Sequence, residues 1–272
     1  MSNTSSNVPT ALFLFAHQDD EFGVFQAILD EQRQAHRVCC AYLTDGGFGG
    51  ISPVRRNQES LSVLQEFGAT TQDVFFAGQA LSIPDGQLHE HLQTAADWID
   101  SWLASFPGVT TVYIPAWEGG HPDHDVLHAL AVHLAQERGM LTQLRQFPLY
   151  NGYRCIGPFF NVLTSLPMNG ITEKTSIHWK SRLHFLYYCL CYPSQAKSWL
   201  GLFPLVLLNY LFHGKQLLQP VCVERICQRP HNKTLYYEKR GFSTWAKITA
   251  QLSALKLARQ SSQNFPQIRK CT

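Results

Sequence analysis

Four ionisable side chains, His17, Asp19, Asp20 and Glu21, crowd into one short stretch, TALFLFAHQDDE (10–21). Groups packed so closely repel one another and are costly to desolvate, and a cation relieves both penalties. A divalent metal is therefore the first expectation. The competing structural reading is that acids following a strand merely cap the next helix and complement its dipole. A second stretch, VTTVYIPAWEGGHPDHDVLHALAVHLAQ (109–136), adds His121, Asp123 and His124 straight after a glycine pair, with Pro122 fixing the turn that presents them. His128 and His133, farther along, read as ordinary helix-face residues. Two histidines and one carboxylate with a position left for water form the open ligand set of a catalytic zinc, and the remaining carboxylate can serve as base.

Both stretches need a scaffold that delivers them to one place. Ala11 to Ala16 is an apolar run of the length expected for a strand buried on both faces, and Val109 to Ile114 is rich in β-branched and aromatic residues. Helices are expected over Phe22–Gln34, Val54–Phe67 and Gln87–Phe106, with strands over Arg37–Leu43 and Asp73–Phe76 between them. Arg56 and Glu59, three apart, share a helix face and either pair with each other or serve a site. The glycine-rich loop Asp45 to Gly50 lacks dinucleotide or P-loop spacing and reads as a substrate loop. Such alternation predicts an α/β fold with a Rossmann-like, mostly parallel sheet, helices on both faces and a small C-terminal extension. In parallel α/β sheets the carboxyl ends of the strands carry the site, so the two motifs should meet on one rim.

The pair HQDDE and GGHPDH resembles the zinc-dependent N-acetylglucosaminyl deacetylases of the PIG-L/LmbE superfamily, whose motifs are (P/A)HPDDE and HPDH. Thr44-Asp45-Gly46, Arg56-x-x-Glu59, Asp85-Gly86 and a late lysine helix ending at Ser194-Gln195 extend the likeness. The resemblance implies that His17, Asp20 and His124 hold Zn2+, or another divalent ion such as Fe2+. It implies Asp19 as general base, His121 as the group that polarises the amide oxygen or protonates the leaving amine, and Asp123 as the residue orienting His121. Arg56 and Asp85 become substrate-binding residues, gripping sugar hydroxyls or a phosphate. Gln18 departs from the pattern, standing where the family has proline. The activity implied is removal of the N-acetyl group from an amino sugar in a glycoconjugate or glycolipid precursor.

At 272 residues, 45% hydrophobic, the chain suits one α/β domain over 9–258, divided into a core (1–150) and an extension (151–258), with 1–8 and 260–272 flexible. The extension is expected to hold a small hairpin region within 152–175, a helix over Lys174–Tyr192, a strand over Pro220–Cys227, and a last helix over Ser243–Arg259. A net charge of +2 without a basic stripe gives no support to nucleic-acid binding. Eight cysteines without CxxC spacing read as reduced thiols, with Cys271 at the surface. The first ten residues lack the features of a signal peptide, so a cytoplasmic protein is expected, peripheral at the inner membrane face if its apolar segment binds lipid. That segment, Trp199 to Phe212, is shorter than the roughly 20 residues of a bilayer span. It reads as a core or homo-oligomer helix, or as an interfacial patch. Two weaker functional readings remain: a scaffold that has lost catalysis, and a facial-triad iron oxygenase.

Overall fold

The computed structural model describes residues 8–264. Of the ends expected to be flexible, 1–8 and 260–272, residues 1–7 and 265–272 lie outside those described, as does the surface thiol expected at Cys271, while 260–264 continue the last helix. Among the described residues, nine strands and nine α-helices follow in order: β1 (Thr10–Phe15), α1 (Phe25–Arg33), β2 (Arg37–Tyr42), α2 (Pro53–Glu66), β3 (Val74–Phe75), α3 (Ala77–Ala80), α4 (Leu92–Ala104), β4 (Val109–Pro115), α5 (Pro122–Glu137), β5 (Leu144–Phe147), β6 (Tyr150–Asn151), β7 (Asn161–Val162), β8 (Glu173–Ser176), α6 (Trp179–Cys189), α7 (Ala196–Phe212), β9 (Lys215–Pro220), α8 (Tyr236–Lys239) and α9 (Trp245–Asn264).

Seven strands form one sheet in the order β3-β2-β1-β4-β5-β9-β8, and β6 pairs with β7 in a separate hairpin. The first five run parallel, while β9 joins β5 antiparallel and β8 joins β9 antiparallel. The expected mostly parallel α/β sheet is present. Strand β1 is buried at all six positions, which is why it reads as an unbroken apolar run. Leu12, Leu14, Cys39, Ala41, Val112 and Ile114 face the layer made by α4, α5 and α9. Ala11, Phe13, Phe15, Cys40, Tyr42 and Tyr113 face α1, α2, α6 and α7 on the other side. From β1 the chain winds outward to β2 and β3, then returns to place β4 on the other side of β1. That reversal is a topological switch point, and the carboxyl ends of β1 and β4 open side by side into a crevice there.

Three expectations need correction, two of them in the second half of the chain. Residues 173–176 form an exposed strand rather than the first turn of a helix, and α6 begins only at Trp179. The late strand lies at Lys215–Pro220, ahead of the expected span, and Val223–Cys227 is a short 3-10 turn. Arg56 and Glu59 do not pair: Glu59 meets Arg55 at 3.1 Å and also accepts from Ser194. Helix α7 is half core, with Trp199, Val206 and Tyr210 buried and Leu200, Leu208, Leu211 and Phe212 exposed. No helix among the described residues is long and apolar enough to cross a membrane.

Candidate metal centre

The β1 turn is held by its own acids. Asp20 Oδ2 accepts from the amides of Ala16 (3.0 Å) and His17 (2.9 Å), which fastens the carboxylate across the end of the strand. Glu21 accepts the Asp19 amide at 2.8 Å, and Tyr42 on β2 donates to its other oxygen. Asp19 between them adopts φ 118°, a left-handed conformation costly for a residue with a Cβ, by about 1–3 kcal/mol. The strained backbone turns Asp19 away from Asp20, toward α2, where its Oδ1 lies 3.1 Å from Arg56.

On the β4 side Pro122 opens α5 and His121 caps it, its Nδ1 accepting from the Asp123 amide at 3.2 Å. A neutral imidazole accepting at Nδ1 carries its proton on Nε2. One turn into the helix, His124 Nε2 reaches 3.2 Å from His17 Nδ1 and 3.1 Å from Asp20 Oδ1, and His17 Nδ1 lies 3.7 Å from Asp20 Oδ2. These atoms fall within 4.8 Å of one another, a spacing that admits one shared ion. The other nitrogen of His17, Nε2, faces Asp123 at 3.1 Å and Asp85 at 3.3 Å.

The electrostatics fit a cation. Asp19, Asp20, Asp85 and Asp123 converge here, and the buried Arg56, 3% exposed, pairs with Asp19 and Asp85. Burial alone would lower the His17 pKa, yet Asp85, Asp123 and Asp20 together raise it well above the ordinary imidazole value. Burial opposes charge on Asp20 as well, but His124 and His17 hold it well below the usual carboxylate range. Asp19 goes the other way: burial, reinforced by Asp20 and Glu21, outweighs Arg56 and pushes it up to about 7. His121 is pushed down to about 3 by burial and by His17, which keeps it neutral. Two imidazoles and one carboxylate beside further carboxylates form a donor set suited to a divalent ion.

All eight residues singled out in the sequence reach this crevice, though not always as expected. Asp123 approaches His121 Nδ1 only to 3.9 Å, and its short contacts are to His17 Nε2 and to the amides of Gly86 (2.7 Å) and Leu88 (3.1 Å). Arg56 is buried, donating to Gly46 O, Gln18 O, Asp19 and Asp85. Gln18 is fully buried and points toward α2, where its Nε2 bonds Asn57 at 2.6 Å. Its side chain therefore stays clear of the ligand atoms. His128 is a core residue whose Nδ1 donates to Pro115 O at 2.8 Å.

The sequence reading passed over Glu118 and Asp125, both fully buried. Asp125 Oδ1 accepts from the amides of Glu118 and Gly119, each at 3.1 Å. Glu118 accepts from the amides of Leu149 (2.7 Å) and Tyr150 (2.9 Å) and from Asn151 (3.1 Å). These bonds tie the loop carrying His121 to the segment after β5, where the Tyr150 ring packs 5.6 Å from that of His124. An acid next to the glycine pair in WEGGHPDH is the one signal that could have marked Glu118.

Residues 12–135 match the family model described as PIG-L: GlcNAc-PI de-N-acetylase. Among curated proteins no match is found. Several solved structures are similar in fold. An antimicrobial-reagent pseudoaglycone deacetylase is 18% identical with a TM-score of 0.56, the match covering 82% of this chain and 99% of that one. The zinc-inhibited form of teicoplanin deacetylase is 16% identical with a TM-score of 0.59, covering 78% and 98%. N,N'-diacetylchitobiose deacetylase from Pyrococcus horikoshii is 14% identical with a TM-score of 0.55, covering 78% and 84%. At such identities the likeness establishes the shared fold. The matched span contains both histidine-acid motifs and the switch-point crevice that they build, so the likeness to the PIG-L family falls on the part of the chain that carries the candidate site.

Proposed function

We propose that the protein is a zinc-dependent hydrolase that removes the N-acetyl group from an N-acetylated amino sugar, giving acetate and a free amine. The observation that carries this reading is the convergence of His17 Nδ1, Asp20 and His124 Nε2 next to a separately oriented Asp19. His17, Asp20 and His124 would hold the ion. When bound, such an ion polarises the substrate carbonyl and makes water nucleophilic near neutral pH.

The rest is the work of side chains. Asp19 accepts the proton of the attacking water and returns it to the departing amine, a general acid–base role favoured by a pKa near the working pH. His121, neutral and carrying its proton on Nε2, donates a hydrogen bond to the oxyanion that develops on the acetyl carbon. Arg56 holds Asp19 and Asp85 in place from behind. Asp123 fixes His17 so that Nδ1 faces Asp20 and His124, an outer-shell role of the kind that metal-bound histidines commonly need. Asp85 borders the crevice and can meet a substrate hydroxyl. The substrate class is supported by the family description, GlcNAc-PI de-N-acetylase, and by the likeness to N,N'-diacetylchitobiose deacetylase and teicoplanin deacetylase. The same reading treats 9–258 as one functional unit, supported by β9 completing the sheet and Gln216 donating to Gly23 O at 2.6 Å.

The direct test is acetate and amine release from N-acetylglucosamine conjugates by protein of known metal content. Turnover that depends on the ion is expected. Metal-loaded protein inert on every acetamido sugar tried would overturn the reading.

A further inference from the structure

The strongest feature outside the crevice is the outer face of α6 and α7. These helices pack their inner sides on the same core, Phe185 and Leu186 from α6 and Val206 and Tyr210 from α7. Their outer sides are apolar too. Along α6, Trp179, Leu183, Tyr187 and Leu190 stand exposed at spacings of four, four and three residues, a single stripe. Along α7, Leu200 is 82% exposed and Phe212 77%, with Leu208 and Leu211 between them. Single exposed hydrophobics need no explanation, but eight on two adjoining helices form a patch of the kind that marks an interaction surface.

The charge around the patch indicates what covers it. From residue 174 to residue 223 the chain contains no aspartate or glutamate, while Lys174, Lys180, Arg182, Lys197 and Lys215 all fall there. Arg182 is engaged with the carbonyls of Ile177 and Tyr210. The four lysines are exposed, and none forms an ion pair among the described residues. Acids from other elements lie at the margin: Glu173 pairs with Arg145, Glu59 with Arg55 and Ser194, and Glu66 sits beside Tyr188 and Cys191. An isologous dimer through this face would press lysine against lysine. An anionic lipid surface instead offers apolar depth to the leucines, headgroup level to Trp179 and Tyr187, and counter-charge to the lysines.

We propose that the α6–α7 face docks the protein on anionic bilayers, with Leu200, Leu208, Leu211 and Phe212 entering the headgroup–acyl boundary and Lys180 and Lys197 contacting lipid phosphates. With no spanning helix among the described residues, the attachment is peripheral and reversible. The inference is independent of the reaction proposed above.

The test is co-sedimentation of the full chain with vesicles of phosphatidylcholine alone and of phosphatidylcholine mixed with phosphatidylglycerol. The protein should bind the mixed vesicles, and added salt should weaken binding. The double variant L208S/F212S, and separately K180E/K197E, should each bind at least about tenfold more weakly. Both pairs are exposed, so thermal melting should stay near that of the unaltered chain. If the leucine–phenylalanine variant fails to fold, the lysine variant still decides the question. No binding to the mixed vesicles, equal binding to neutral ones, or binding unaffected by the lysine reversals would overturn the proposal. So would a lipid-indifferent dimer that L208S/F212S dissociates, which would assign the face to a second copy of the chain.

Discussion

Glu118 touches no atom proposed to react, yet the structure makes it the pin between the two halves of the crevice. Glu118→Ala leaves the amides of Leu149 and Tyr150 without partners in a fully buried position. Each orphaned donor costs about 1–3 kcal/mol, so the variant should lose about 2–6 kcal/mol. Glu118→Gln keeps one oxygen for those amides and loses only the Asn151 bond, a cost of about 1 kcal/mol. The pH dependence separates the two effects. Burial pushes Glu118 from 4.5 up to about 7 against three donated hydrogen bonds. Because the folded-state pKa is raised, its contribution is fully present below 4.5 and is lost as pH rises through 7. The gap corresponds to about 3 kcal/mol. Glutamine does not titrate, so the stability advantage of the unaltered chain over Glu118→Gln should shrink from pH 5 to pH 8. The assay is urea denaturation of the three proteins at both pH values. Turnover should fall in Glu118→Ala as well, because Gly120 crosses the Tyr150 carbonyl so closely that a Cβ would lie 2.0 Å from it, and His121 follows directly. A Glu118→Ala variant within about 1 kcal/mol of the parent, or a pH-independent difference for Glu118→Gln, would refute the reasoning.

Three further outcomes are expected. Asp19→Asn should lower turnover about 10²–10⁴-fold with metal content near normal, whereas Asp20→Asn should release metal, as atomic absorption on both proteins will show; the opposite pattern would exchange their roles. His128, pushed down to about 4 by burial, makes stability fall as pH drops from 6.5 toward 4, by up to about 3 kcal/mol; His128→Gln should flatten that acid limb in denaturation curves. Gly46 and Gly49 both have φ +67°, but a Cβ at Gly46 would lie 2.1 Å from Gln18 Oε1 while Gly49 has open space around it. Gly46→Ala should therefore lower the melting temperature more than Gly49→Ala, which bears only the backbone strain of about 1 kcal/mol.

The legible parts of the fold were those in which one physical demand dominated the local sequence. Strands β1, β2 and β4 are buried on both faces and read as apolar runs, and each ends in a polar turn that marks the rim. Strand β8 fails that logic because EKTS is exposed at all four positions and pairs only at the sheet edge, so no periodicity separates it from a helix start. Strand β9 is similarly masked, since Gln216 and Gln219 are buried through hydrogen bonds to Gly23, Leu166 and Gly170 rather than through apolarity. In α2, spacing offered Arg56 a pairing with Glu59 as one of two readings. Tertiary demand won instead, with buried carboxylates and carbonyls drawing Arg56 inward and leaving Glu59 to the exposed Arg55. The candidate site was legible because its charges are too dense for a helix cap to need. Its supports were not, because Glu118 and Asn57 matter through partners that lie far off in the chain, and Asp125 through backbone amides that no side-chain pattern announces.

The HQDDE turn shows how adjacent acids can be given separate work. Asp20 is fixed by two strand-end amides and shares its charge with His124, while Asp19 faces Arg56 and Glu21 acts as the acceptor that holds the Asp19 amide. The left-handed backbone at Asp19 is what divides them. A relaxed helical turn would not supply the Glu21 bond and the Arg56 contact together, so the strain and the third acid belong to one device. The same device accounts for Gln18. Its side chain is drawn to Asn57, and its carbonyl accepts from the arginine that meets Asp19. Position 18 therefore contributes through backbone geometry and its anchorage to α2, and a glutamine there leaves the three ligand atoms facing one point.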